Sequence, residues 1–388
     1  MKLSDIAIEI KEPFDPKKNT EELCYIGLEH ISPKTLHIDS HSYSSDVESL
    51  KYRFAENDIL FGTMRPYFKK IIRAPFGGVC STEIAVIRAK NKPDMDYIFY
   101  LMAQDSFIEF TTVNSSGDRP RTKWRKFSKF PINHNSEEIR FRIGKILSYY
   151  DDLIDTNRRR IQLLEESARL LFRDWFVYFR FPGHEKVKIV DGVPEGWEKG
   201  PIKKYYDTTS GGTPRREHPE YYQGDINWVK TQELDEKYIF ETEEKVTQEA
   251  ISKSSAKIFP ANTLLVSIYG NANIGRTGIL AKPAASNQAC VAFFPIKPYF
   301  HFIYLQQYLQ MIRDYLVGMS QGAAQTNISQ DTLRKVNILM PDEIFINKFL
   351  KIAEPMYEQI KNLQYQNQKL AQARDLLLPR LMSGEIEV

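Results

Sequence analysis

Two long stretches of the chain place apolar residues at a period of 3.5. Leu147, Ile154, Ile161 and Ala168 stand seven apart, as do Tyr150, Asn157, Leu164 and Leu171. Ile143 lies near the start of the run. These are a and d positions of a coiled-coil helix over 136–176. At about 1.5 Å per residue that helix would be roughly 60 Å long, too long to be buried by one small unit. Ser136, followed by Glu137 and Glu138, offers an N-cap with charges that suit the helix dipole. The pattern returns over 342–382, with Ile346, Ala353, Ile360, Asn367 and Arg374 at a and Phe349, Met356, Leu363, Leu370 and Leu377 at d. Pro355 deletes a helical hydrogen bond, so a kink or a short lead-in helix is expected there.

The intervening segments read differently. Asp58 to Phe61 and Ile84 to Arg88 have the short alternating pattern of strands, punctuated by Gly62, Pro66 and Gly77-Gly78. A helical stretch of about Met95 to Phe110 follows. Phe54-Ala55-Glu56-Asn57-Asp58-Ile59-Leu60 returns as Phe259-Pro260-Ala261-Asn262-Thr263-Leu264-Leu265, 205 positions later. Ser81 and Gly117 return at the same offset as Ser286 and Gly322. The expected fold is therefore α+β: two similar mixed α/β units (1–135 and 177–341), separated by two long antiparallel coiled-coil helices (136–176 and 342–382), with pseudo-two-fold symmetry.

In an antiparallel coil, a layers meet d layers. Asn157 at d and Asn367 at a are costly in such a seam unless they meet. Pairing them sets Ile154 against Leu370, Ile161 against Leu363, Leu164 against Ile360 and Leu147 against Leu377. The alternative is that both asparagines face solvent at a frayed position.

Composition bounds the function. The 388 residues suffice for two or three domains, and 42% hydrophobic residues suffice for real cores. No apolar run approaches the length of a membrane span, and Met1-Lys2-Leu3-Ser4-Asp5 lacks a signal-peptide core. Cys24, Cys80 and Cys290 are odd in number and far apart, which points to a reducing, cytoplasmic setting. The seven histidines show no metal-ligand spacing with them. The net charge of +3 does not by itself indicate nucleic acid, but the basic residues are uneven. Arg119, Arg121, Lys123, Arg125, Lys126 and Lys129 crowd one stretch beside Asp118. Arg65, Lys69, Lys70 and Arg73 form a second cluster, and Arg215-Arg216 a third.

Catalytic readings fail. Gly270 to Thr277 imitates a phosphate loop with arginine (Arg276) where lysine is required, and a strand–loop–strand hairpin fits it better. No dinucleotide or methyl-donor glycine loop occurs, and no amino-methyltransferase motif. Asp58 and Glu83 lack the lysine that a nuclease site would need. The basic stretches fare better, because a guanidinium fork suits guanine and both Arg and Lys seek phosphate. Candidate DNA contacts are Arg65, Lys69, Lys70, Arg119, Arg121, Lys123 and Arg125 in the first unit. In the second they are Thr213, Arg215 and Arg216, then Lys230, Thr231 and Gln232, and Tyr269, Asn271, Asn273 and Arg276 on the hairpin. Gln325 and Asn327 complete the set, being able to read adenine where the first unit carries arginine. Each segment could equally be a solvated loop or turn.

These residues resemble those of the specificity subunits of type I restriction–modification systems. The resemblance is carried by Val193-Pro194-Glu195-Gly196-Trp197, Gly211-Gly212-Thr213-Pro214, Tyr221 to Trp228, Ser286-Asn287-Gln288, and the helix ends Leu170 to Arg173 and Leu376 to Leu381. The first unit lacks the Gly-Gly-Thr-Pro loop, and its Leu3-Ser4-Asp5-Ile6 looks like the tail of that opening. The resemblance implies two target-recognition domains, each reading one half of a bipartite double-stranded DNA site. It also implies two adenine methyltransferase (modification) subunits docked on the helices and recognition domains, and restriction/translocase subunits as further members. S-adenosylmethionine would be held by the methyltransferase subunits and no cofactor by this chain, which would be non-catalytic. The competing expectation is a coiled-coil scaffold or adaptor without base-specific recognition.

Overall fold

The computed structural model describes residues 1–38, 40–134, 136–270, 272–321 and 327–388. The chain divides into two compact units, residues 1–155 with 367–388 and residues 156–366. The expected division gave each long helix a segment of its own. Instead each unit takes up part of both helices, Glu137–Phe176 and Glu343–Ser383, because its core extends onto their apolar stripes.

The first unit is built around an antiparallel sheet in the order Ala7–Ile10, Ile84–Ala89, Ile59–Gly62, Ile71–Arg73. Its alternate side chains enter two different cores. Ile59, Phe61, Ile71, Ala85 and Ile87 pack with the helices Met95–Ala103 and Asp105–Val113 and with Ile143, Leu147, Leu378 and Leu381 of the long helices. Leu60, Ile72, Ile84 and Val86 pack with Ile26, Phe54 and Cys80 of a second sheet. That sheet runs Glu12–Phe14, Lys51–Phe54, Gly78–Ser81, Cys24–Ile26, Ser42–Tyr43, with a parallel pair between Cys24–Ile26 and Gly78–Ser81. Burial on both faces explains why Ile59 to Phe61 is an unbroken apolar run.

The second unit repeats this plan. Tyr206–Ser210, Cys290–Pro295, Leu264–Ser267 and Thr277–Leu280 stand in the order of their counterparts, with Tyr238–Ile239 added at the edge. Ile59 pairs with Ile87, and Leu264 with Phe293. The second sheet again contains one parallel pair, Ile226–Val229 with Ala284–Ser286. The repeated turn is the same in detail. Asn57 and Asn262 are both left-handed, at φ 70° and 63°, where asparagine is better tolerated than most residues. Their N–H groups donate to Ala74 and Leu280 carbonyls, at 2.8 and 2.7 Å.

Within each unit the two helix segments run antiparallel. In the first, Asp151 pairs with buried Arg374 and accepts from the Tyr100 hydroxyl at 2.6 Å, while His134, before the first helix, donates to the Leu381 carbonyl at 2.9 Å. In the second, Phe176 packs on Phe349, and further back Glu165 and Tyr357 line one cavity. Leu147, Ile154, Asn157, Ile161, Ile360 and Leu363 are buried. Leu164, Asn367, Leu370 and Leu377 are half-buried, and next to Leu377 it is Leu378 that enters the core. Ser136 Oγ accepts from the Ile139 N–H at 3.5 Å.

Two expectations change. The second long helix runs unbroken through Pro355, with no separate lead-in helix. Pro355 and Lys351, whose carbonyl loses its partner, lie on the exposed face, so water can take up that carbonyl. The stripe of Ala353, Tyr357 and Ile360 packs the opposite face into the core. The helical stretch near Met95–Phe110 is two helices, because Gln104 adopts extended geometry (φ −74°, ψ 152°) before Asp105. Among the described residues no helix is long and apolar enough to cross a membrane.

Glu165 gives a pH prediction. Burial pushes its carboxyl up to about 7; Lys237 opposes this, and the carboxylates of Asp235 and Glu236 reinforce it. The folded state therefore holds this proton more tightly than the unfolded chain does, and stability falls as pH rises from the ordinary value of 4.5 through about 7. Glu165→Gln should match the parent at pH 4.5 and be more stable by about 2 kcal/mol at pH 8, at about 1.4 kcal/mol per pH unit less screening. Urea unfolding at both pH values checks this; an equal difference at the two would mean the carboxyl ionises normally.

Candidate nucleic-acid interface

In each unit three loops meet at one end of the central sheet. In the first unit these are the loop after Gly62, the turn Ser81-Thr82-Glu83, and the basic segment 116–125. Thr63 donates its N–H and its hydroxyl to the Glu83 carbonyl, both at 2.8 Å. Thr122 N–H donates to Thr63 O at 3.0 Å, Arg65 N–H to Pro120 O at 2.7 Å, and Met64 bridges to Arg121. In the second unit Ile268 N–H donates to Ala289 O, and Ile328 N–H to Ile268 O, both at 3.0 Å. Tyr269 bridges to Asn327. These are the same bonds in the two units, with residues 63 and 64 mapping by 205 and residues 83, 121 and 122 by 206, because the second hairpin loop carries one extra residue. Arg121 and Asn327 occupy one position on one backbone and differ in chemistry.

Both side chains are held. Arg121 Nη2 donates to Glu83 Oε1 at 2.6 Å, and its other N–H groups remain available. Asn327 Oδ1 accepts from the Gly270 N–H at 3.3 Å, which leaves its NH2 and a second lone pair. Around Arg121 a cleft of about 690 Å³ is lined by Lys11, Tyr52, Glu83, Lys123, Trp124 and Arg125, among others. Arg119, Lys123 and Arg125 are exposed, and among the described residues none pairs with an acid.

The Gly-Gly-Thr-Pro loop explains itself sterically. A Cβ on Gly211 would lie 2.1 Å from Ser286 O, and one on Gly212 2.4 Å from the Ser255 carbonyl carbon. The loop thus lies directly on the Ser286 turn, where Gly212 N–H donates to Ser286 O at 2.8 Å. Trp228, buried, fixes it from below by donating Nε1–H to Gly212 O at 3.0 Å. Tyr222 donates its hydroxyl to Pro214 O at 2.6 Å. Thr213 then donates to Gln288 in the turn that follows Ser286, one residue before Ala289, the counterpart of Glu83.

Several expected DNA contacts are engaged internally. Lys69 pairs with Asp105 at 2.9 Å, and Lys70 donates to Leu28 O at 2.6 Å. Arg216 lies over Tyr222, 4.1 Å from the ring centre, and pairs with Glu244 at 2.7 Å. Lys230 pairs with Glu243 and Glu244 at 2.7 and 3.0 Å. The Arg216 hydrogen bond, followed by that of Lys230, outweighs burial and holds the Glu244 carboxyl below the usual range. Arg215 and Gln232 are exposed, while Thr231, Asn273 and Arg276 are half-buried. Tyr269 is exposed at the junction. Asn271 and Gln325 lie outside the described residues. Glu83, weighed only as a catalytic carboxylate, and Gln288 were missed as junction residues; the signal for them was their place in the turns that follow the repeated Ser81 and Ser286.

Leu264–Ser267 and Thr277–Leu280 pair antiparallel, so the segment resembling a phosphate loop is a hairpin. Among the described residues no three His, Cys, Asp or Glu side chains are placed to hold a metal.

Known proteins bear on this arrangement. Over its whole length the chain is similar to the HindI specificity subunit of Haemophilus influenzae, at 24% identity covering 99% of this chain and 98% of that one. It is similar to the MjaIX specificity subunit of Methanocaldococcus jannaschii, at 24% identity covering 100% and 93%. The crystal structure of the type I restriction–modification S subunit from M. genitalium shares the fold, with a TM-score of 0.61 at 11% identity covering 98% of this chain and 95% of that one. Residues 1–166 and 194–371 match the family described as type I restriction modification DNA specificity domain, and the chain belongs to that family.

Proposed function

We propose that the chain is the DNA-recognising, non-catalytic subunit of a type I restriction–modification complex, and that each unit reads one half of a bipartite, asymmetric site in duplex DNA. The observation that carries this reading is the pair of equivalent loop junctions with unlike side chains, Arg121 beside Glu83 and Asn327 beside Gly270. A repeated scaffold fixes where a base edge is met, and the substituted side chain fixes which base is preferred. Arg119, Lys123 and Arg125 position the duplex through phosphate.

The long helices set the spacing, with half-sites about one helical turn apart or a multiple of it. Their outward apolar residues are docking points for two adenine methyltransferase subunits. These are Tyr149 and Leu153 in the first unit and Leu163 and Leu170 in the second, all exposed. Those subunits bring S-adenosylmethionine and the methyl transfer, restriction subunits are an optional addition, and the complex works in the cytoplasm. An adaptor that held partners without reading DNA would need the helices but not two differentiated junctions.

The test is binding by the chain purified with its methyltransferase partner, on DNA carrying the motif found by mapping methylated adenines. Arg121→Ala should weaken specific binding by about 5- to 150-fold, the worth of one bidentate contact, and non-specific binding far less. Equal losses at matched salt would make Arg121 a phosphate contact. A complex without any preferred sequence would overturn the reading itself.

A further inference from the structure

Pro66-Tyr67-Phe68 forms a single tight turn at the tip of the loop between Ile59–Gly62 and Ile71–Arg73. Its two flanking residues, Arg65 and Lys69, are both left-handed at φ 50° and 51°, a conformation that is strained for side chains of this size. The turn is nonetheless pinned from several sides. Phe68 N–H donates to Arg65 O at 3.0 Å, and Lys69 N–H to Pro66 O at 2.8 Å. Lys69 is tied to Asp105 and Lys70 to Leu28 O, as above. Arg65 N–H is tied to Pro120 O, next to Arg121.

What this framework holds out is an aromatic pair. Tyr67 and Phe68 are 43% and 39% exposed, with ring centres 4.8 Å apart. A surface turn that merely closed a hairpin would need neither the strained residues nor the apolar tip. The neighbouring cations, Arg65, Arg119, Arg121 and Lys123, are those suited to a polyanion. Flat apolar rings, rigidly presented among phosphate-seeking groups, match the faces of nucleic-acid bases.

We infer that Tyr67 and Phe68 form a stacking wedge that enters the duplex beside the first unit's half-site and unstacks one base step there. The inference rests on the DNA-recognition reading and adds to it a distortion of the DNA at a step no hydrogen bond reads. Deforming the duplex costs energy that depends on the step deformed, so the wedge contributes sequence preference through flexibility.

The experiment uses the complete complex with its methyltransferase partner and motif DNA carrying one 2-aminopurine at a time across both half-sites and their flanks. The target adenines are excluded, because methylation chemistry unstacks them in any case. With the parent complex, fluorescence should rise at one step outside the target adenines. Y67A/F68A should abolish that rise and weaken specific binding about tenfold, in line with the loss of base stacking, with the salt dependence of binding unchanged. Thermal melting and co-purification of the variant show whether fold and assembly are intact, and Y67F/F68Y, which keeps both rings, should retain the signal. If specific binding persists with no such rise, the wedge is refuted and the recognition reading stands. If the parent binds no preferred sequence, both fail. If the alanine variant folds but no longer assembles, the turn is a protein contact and the wedge is refuted.

Discussion

Replacing residues 191–341 with the corresponding segment of another specificity subunit will change one half of the methylated motif and leave the other half intact. The segment is closed structurally, because its entry strand Glu198–Pro201 pairs antiparallel with its exit strand Asn337–Met340 along four residues. Both ends of the graft therefore travel together. The graft includes the whole second junction (Gly-Gly-Thr-Pro loop, Ser286 turn, hairpin and Asn327) and leaves Arg121 and its loops untouched. What it must still fit is the aromatic seat on the helices. Phe172, Trp175, Phe176 and Phe349 remain behind, while Trp197 and Tyr304, 5.7 and 4.9 Å from Phe176, leave with the graft. A donor carrying aromatics at those two places should co-purify with the methyltransferase normally. Methylome sequencing of the hybrid is the readout. Each altered base pair at a read position costs about 1–3 kcal/mol, enough to redirect methylation completely at that half. Changes in both halves would mean that recognition is shared between the units.

Much of this was legible in the sequence because the duplication was. An offset of 205 taken from a few residues aligns sheet order and the left-handed Asn57 and Asn262, while one extra residue in the second hairpin loop shifts the partner strands to an offset of 206. Heptad spacing exposed both long helices for the same reason, since periodicity is a local signal. Interactions remote along the chain were not legible. Lys70 and Arg216 counted as phosphate donors until the Leu28 carbonyl, 42 residues away, and Glu244, 28 away, were seen to hold them. Arg374 fell at an a position, where a charge is costly, and nothing near it in sequence revealed that Asp151 would meet it. The strands were expected to alternate, but two cores, one on each face of the sheet, bury both sets of side chains. The tight turn at Tyr67 was masked by its basic neighbours, which drew attention as charge while serving as anchors.

Asp94→Ala should destabilise the first unit by about 3–5 kcal/mol, the cost of removing the acid from a buried ion pair. Arg140, near the start of the first long helix, is 4% exposed and Asp94 is fully buried. The guanidinium donates to both carboxylate oxygens, from Nε at 2.6 Å and from Nη2 at 3.1 Å, and Nη1 reaches the His134 carbonyl at 3.4 Å. With Asp94 gone, the guanidinium loses the two carboxylate oxygens that balance its charge in a site water barely reaches. Two comparisons separate this from a general effect of losing a carboxylate. Glu166→Ala removes the acid from the Arg169 pair, in which both side chains are nearly half exposed, and should cost at most about 1 kcal/mol. D94L/R140M, which removes both charges and keeps apolar volume, should recover most of the loss, since a buried pair gains little over well-packed apolar groups. Urea unfolding followed by fluorescence measures all three. If Asp94→Ala costs no more than Glu166→Ala, water reaches the pair. If the double replacement is as unstable as the single, the pair's geometry rather than its charge balance holds the helix to the sheet.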